Sequence, residues 1–169
     1  MITAQVASPA NAQGAVLKAE MYQGQWGYLS GGDAGDYSGE VFITPVSSSG
    51  TASYHGSKLC PIQFIAQNQE DKETYMNSGA IPSGTRVIAY VGDGVVIEDD
   101  YVYTRVGSGT YISGTIGDAM YLNTSGYPVV GSGATYTSGE TPVAIFLGVE
   151  GTSVRYQTIT AHSGIDLVS

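Results

Sequence analysis

Apolar positions in this chain fall in short runs, and alternation with period two is the dominant pattern. In Arg86-Val87-Ile88-Ala89-Tyr90-Val91 the residues Val87, Ala89 and Val91 share one face, as a strand lying on a core requires. Comparable runs occupy 59–65, 95–97, 101–106, 111–112, 120–122, 129–130, 143–147 and 154–160. Turns rich in Gly and Asp separate them at about 8–12 residues, the spacing of a sandwich or barrel. The strongest apolar run, Val143 to Leu147, predicts a central strand that pairs with Val154 to Thr160 across Glu150-Gly151-Thr152. Pro61 assigns the 59–65 strand to an edge, because proline has no N–H for a ladder. Two segments, 91–102 and 116–129, share one plan of Gly-Asp followed by apolar residues and a polar turn, and read as similar hairpins. Residues 68–75 are polar and fit a single helical turn or a loop. The expected fold is all-β: a small antiparallel barrel or sandwich over residues 58–169 with almost no helix.

The first 57 residues break this regularity. Ala15 to Met21 could form two turns of helix, after which Gly24, Gly27, Gly31, Gly32 and Gly35 interrupt the segment. Glu40 to Thr44 is a plausible strand stopped by Pro45, and Ser47-Ser48-Ser49-Gly50 has linker chemistry. Too few apolar residues stand in register to build a separate core. Residues 1–57 are therefore expected as an extended arm that touches other subunits more than its own domain, and whose removal leaves a folded domain. Tyr22, Trp26, Tyr28 and Phe42 are its candidate partner contacts, since Tyr and Trp join a large apolar area to a polar tip. The plainer alternative is that these aromatics fold back and cap the barrel.

Composition narrows the function classes. Charged residues make up 12% of the chain, about half the usual quarter, and 24 glycines and 13 tyrosines fill part of the gap. The formal net charge is −9, with six scattered basic residues. Nucleic-acid binding lacks its basic footprint, and an anionic membrane is disfavoured for the same reason. No apolar run is long enough to cross a bilayer, and Met1 to Gln5 has no secretion-signal character, so synthesis in the cytoplasm is expected. Cys60 is the only cysteine and reads as a small buried hydrophobe.

Candidate chemistry is sparse. His55 and His162 have no ligand-spaced partner, and no serine sits in a strand-turn-helix elbow. Glu98-Asp99-Asp100 and the Asp33/Asp36 pair could offer oxygens to Ca²⁺, but neither follows the EF-hand pattern, and a solvated turn is the simpler reading. Neither catalysis nor a metal or other cofactor is expected.

One stretch is familiar as a whole. Gly117-Asp118-Ala119-Met120-Tyr121-Leu122-Asn123-Thr124-Ser125-Gly126, a variable hairpin, then Gly139-Glu140-Thr141-Pro142-Val143-Ala144-Ile145-Phe146-Leu147-Gly148-Val149 and a final Val154-Arg155-Tyr156 resemble tailed-phage capsid decoration (cement) proteins. The resemblance covers roughly the C-terminal half. It implies a β-barrel or β-tulip domain on the outer surface of a virion, a homotrimer, a major capsid protein as partner, and stabilisation of the head by bridging neighbouring capsid subunits. The competing expectation is a carbohydrate- or receptor-binding module of a fibre or adhesin that stacks exposed tyrosines on sugars. A small hydrolase is the distant third.

Overall fold

The computed structural model describes residues 2–31, 41–46, 59–66, 68–75, 79–100, 114–123, 125–130 and 142–159. Among the described residues, eleven strands form two sheets. They are β1 (Ile2–Gln5), β2 (Ala12–Leu17), β3 (Trp26–Ser30), β4 (Phe42–Pro45), β5 (Leu59–Gln63), β6 (Arg86–Tyr90), β7 (Val96–Asp99), β8 (Ala119–Leu122), β9 (Pro128–Val130), β10 (Ala144–Glu150) and β11 (Ser153–Thr158). Five of them close a barrel in the order β2-β4-β3-β5-β6, and the other six form a sheet in the order β1-β7-β11-β10-β8-β9. Among the described residues the helical content is one short α-helix, α1 (Gln69–Tyr75), and a 3₁₀ turn at Pro9–Asn11. The all-β expectation holds. Pairing is antiparallel except between β2 and β4, which run parallel where the barrel closes.

Burial varies along the barrel strands: Ala12, Gln13 and Gly14 at the start of β2 are exposed, whereas β5 is buried from Leu59 to Ile62 on both faces. In β6, Val87 and Ala89 point into the barrel with Leu17, Ile43, Cys60 and Ile62. Tyr90, from the opposite face, joins Trp26 and Leu59 in a second cluster with Ile2, Ile97, Met120, Phe146, Val154 and Tyr156 of the six-stranded sheet. On β3, β5 and β6 one face thus fills the barrel and the other packs the barrel onto the sheet.

Residues 2–31 and 41–46 are not an arm. They supply three of the five barrel strands and, through β1, an edge of the sheet that pairs Ile2 with Asp99 and Gln5 with Val96. Ala15–Leu17 is strand rather than helix, because β6 and β4 both offer it ladder partners, while an isolated helix of two turns is marginal. Met21 continues with a bridge to Ile81, its N–H donating to the Ile81 carbonyl at 3.1 Å and its carbonyl accepting the Ile81 N–H at 2.7 Å. The few apolar residues of this segment need no core of their own, because the barrel core is made jointly with residues 59–91.

Three further expectations change. The β5 strand is not an edge: it lies between β3 and β6. Ile62 N–H donates toward β3, to the Gln25 carbonyl, so the missing donor of Pro61 falls on the β6 side, where the ladder covers only Ile62 and Gln63. The 91–102 segment does not open with a hairpin, since Val91–Val95 carries the chain from the barrel to the sheet and β7 pairs with β1 and β11. Residues 68–75 form two helical turns rather than one, with Phe64 meeting Tyr75 edge to face at 5.8 Å. By contrast, β10 is central and pairs with β11 as the strong apolar run and the Glu150-Gly151-Thr152 turn predict. The expected strands at 101–106 and 111–112 lie outside the described residues.

The crossover from β1 to β2 runs beside the one from β6 to β7, and Asn11 ties the two together. Its side-chain Oδ1 accepts from the Ser8 N–H at 3.0 Å, while Nδ2 donates to the Val91 carbonyl at 2.7 Å. With Ser8 Oγ accepting from Ala10 N–H, this is a capping box that stiffens the link between barrel and sheet.

Candidate functional site

The four aromatics singled out in the sequence do not form one exposed surface. Trp26 is 1% exposed and sits between barrel and sheet, its Nε1–H donating to the Tyr156 hydroxyl at 3.3 Å. It is a core residue, and its assignment as a partner contact is overturned because β3 places it opposite Pro61, facing the sheet. Tyr28, two residues on, is half-buried and packs against the same cluster. Tyr22 is half-buried beside Gln25, whose Oε1 accepts the Tyr22 N–H at 3.0 Å. Phe42, also half-buried, lies under Lys18, with the ammonium 5.3 Å from its ring centre. These are mostly the packing contacts of the plainer alternative.

The acidic cluster divides. Glu98 lies on the outer face of the sheet, where its Oε1 pairs with Arg155, whose Nε donates at 2.8 Å. Asp100 is exposed, but Asp99 is completely buried, which corrects the reading of a fully solvated turn. Strand alternation is the reason: Asp99 shares the inward face with Ile97. Its carboxylate rests against Gly24, which has φ +75°. Burial raises the Tyr156 hydroxyl well above its ordinary range, the charge of Asp99 adds to this, and the Trp26 hydrogen bond opposes it. Trp26, Gly24, Asp99 and Tyr156 form a polar seam inside the apolar junction of the two sheets. Its role is packing and register, since no side chain of the seam is open to a ligand.

The surface with binding character lies on the opposite side of the sheet. A hollow of about 370 Å³ is lined by Glu98, Ile116, Leu147, Gly148, Val149, Glu150, Ser153 and Arg155. Its floor follows from local chemistry. The β10–β11 ladder shifts register between Phe146 and Gly148, and Gly148 then stands opposite Arg155 at φ +122°. A bulge of this kind suits glycine, and without a side chain at Gly148 the sheet surface is indented. Its wall is Ile116, held at the corner of a turn in which Asp118 N–H donates to the Thr115 carbonyl at 2.9 Å and Gly117 has φ +102°. Asp118 Oδ2 accepts from Thr115 N–H at 2.8 Å, and Gly117 N–H donates to the Phe146 carbonyl at 2.8 Å, docking the turn on β10. Ile116 is 69% exposed, the most open of the large apolar side chains among the described residues. Glu150 is exposed, and among the described residues its carboxylate has no ion-pair partner.

No residue of this hollow except Glu98 stands out as a candidate in the sequence. The signals are present: a glycine directly after the strongest apolar run, and an isoleucine immediately before Gly-Asp. What a sequence does not reveal is that these positions, about 30 residues apart, meet on one face.

Cys60 is 1% exposed, and burial pushes its thiol up to about 12, as expected for a small hydrophobe. His55, His162, Asp33 and Asp36 lie outside the described residues. Among the described residues no three His, Cys, Asp or Glu side chains are grouped to hold a metal, and no helix is long and apolar enough to cross a membrane. Comparison with known protein families, curated proteins and solved structures found no match.

Proposed function

We propose that this chain is a capsid decoration protein. In this reading it acts as a homotrimer on the outer surface of a tailed-phage head and stabilises the head by bridging subunits of the major capsid protein. The observation that carries the proposal is the hollow over Gly148: an anchor-sized recess on a rigid sheet, with one exposed apolar wall and a charged rim. Recesses of this kind suit a partner's side chain better than a reacting substrate, because hot-spot contacts are apolar anchors inserted into well-packed pockets. The segments that resemble decoration proteins also lie together in space, since β8, β10 and β11 are successive neighbours in the sheet. A contact of modest strength then gains from repetition over an ordered lattice.

The carbohydrate-binding alternative has less support. Among the described tyrosines, Tyr90, Tyr121, Tyr127 and Tyr156 are buried and Tyr22, Tyr28 and Tyr75 are half-buried, so none offers an open stacking face. The test is co-sedimentation of the purified chain with expanded heads stripped of decoration. Saturable binding that raises the denaturant or temperature needed to disrupt the heads is expected. A chain that stays in the supernatant, or that coats heads without strengthening them, refutes the proposal.

A further inference from the structure

We propose that the hollow over Gly148 receives an extended segment of the partner protein carrying an apolar side chain and, two residues further on, a lysine or arginine. This deepens the reading of the outer sheet face as a capsid-binding surface and rests on it. The geometry is that of β10 itself. Gly148 and Glu150 are two residues apart in one strand and stand opposite Arg155 and Ser153 in the ladder, so both belong to the outer face. Side chains at that spacing in an extended peptide are also on one face, about 7 Å apart. A segment running along β10 in the same direction therefore sets its first side chain over the glycine, against Ile116, and its second over the Glu150 carboxylate.

Charge selects the second residue. Of the three charged groups at the rim, Glu98 and Arg155 neutralise one another, and Glu150 remains. The chain as a whole carries −9, so a cationic segment is favoured at long range as well as at the rim. An acidic segment would meet Glu150 with like charge. The apolar residue is selected by Ile116, whose exposed surface is removed from water only when the hollow is filled.

The experiment uses the full chain, ¹⁵N-labelled, titrated to millimolar concentration with acetyl-Ser-Thr-Leu-Thr-Lys-Thr-Ser-amide and with its twin in which Glu replaces Lys. The lysine peptide should move the amide resonances of Ile116, Gly148 and Glu150 and bind about two- to fivefold more tightly than its twin, the range of an exposed ion pair. Glu150→Lys should reverse that preference, and Ile116→Asp should weaken both peptides about tenfold or more. Glu70→Lys, on α1 away from the sheet face, is the control and should change neither. Absence of shifts at these three residues, equal affinity for the twins, or an unchanged preference in Glu150→Lys overturns the inference. Heads supply the second arm. If wild type and Ile116→Asp coat them equally, the hollow is not the docking site although the decoration reading stands. If the peptides behave as expected and heads are never coated, the recognition chemistry stands and the decoration reading falls.

Discussion

Replacing Gly24 by alanine should destabilise the protein by about 2–5 kcal/mol, through two separable causes. The first is backbone conformation: Gly24 has φ +75°, and a left-handed conformation costs an L-residue roughly 1–2 kcal/mol. The second is overlap: a methyl group there would stand 2.9 Å from Asp99 Cγ and closer still to Oδ2. Overpacking of a closed site costs roughly 1–3 kcal/mol, and Asp99 has little room to yield, being wholly buried between β1 and β11. Gly84 separates the two effects. It has φ +88°, and a methyl group added to it would meet nothing within 4 Å, so Gly84→Ala should lose only the conformational part. Urea unfolding with unchanged m-values gives both numbers. A double-mutant cycle completes the test: in an Asp99→Ala background, Gly24→Ala should cost no more than Gly84→Ala does. If Gly24→Ala is no worse than Gly84→Ala in the wild-type background, the carboxylate is not fixed against the glycine and the seam is not close-packed as described.

Three other outcomes are expected. Deleting residues 1–57 should abolish folding, with loss of the β-type circular dichroism and of cooperative unfolding, because β2, β3 and β4 leave the barrel; a soluble, cooperatively folded fragment would show that the barrel is dispensable. Cys60 should resist thiol reagents in the native state and react fully in denaturant. Its linkage acts at alkaline pH: above pH 9 the unfolded thiol ionises while the folded one holds its proton to about 12, so the unfolded state binds fewer protons and stability falls as pH rises. The slope from this thiol is about 1.4 kcal/mol per pH unit, Tyr90 and Tyr156 add to it at higher pH, and Cys60→Ala should flatten the curve measured by urea unfolding from about pH 8 to pH 11. Arg155→Ala should cost no more than about 1 kcal/mol, since both partners of the Glu98 pair are largely open to solvent, and a larger loss by urea unfolding would mean that the pair is structural.

Alternation determined the strand character of Arg86–Tyr90, because a residue's face in a strand is fixed by its parity and needs no distant partner, and a continuous apolar run followed by a glycine turn marked the β10–β11 pair. The burial of Cys60 was legible in the same way, from its apolar neighbours in β5. The fate of the first 57 residues was not. Ala15–Leu17 has no local reason to prefer strand over helix, and it became β2 because β6 and β4 stand on either side of it. Trp26 looked like an anchor on a glycine-rich arm, yet it is core, since the surface it covers is built by Tyr156 and its neighbours 130 residues away. Asp99 looked like one of three solvated acids, and only the register of β7 against β1 and β11 turned it inward. The candidate site has the same origin. Gly148 announces a bulge in the sequence, but the recess exists only because the Thr115–Asp118 turn docks on Phe146 and holds Ile116 over the gap, a contact between segments that no local pattern connects.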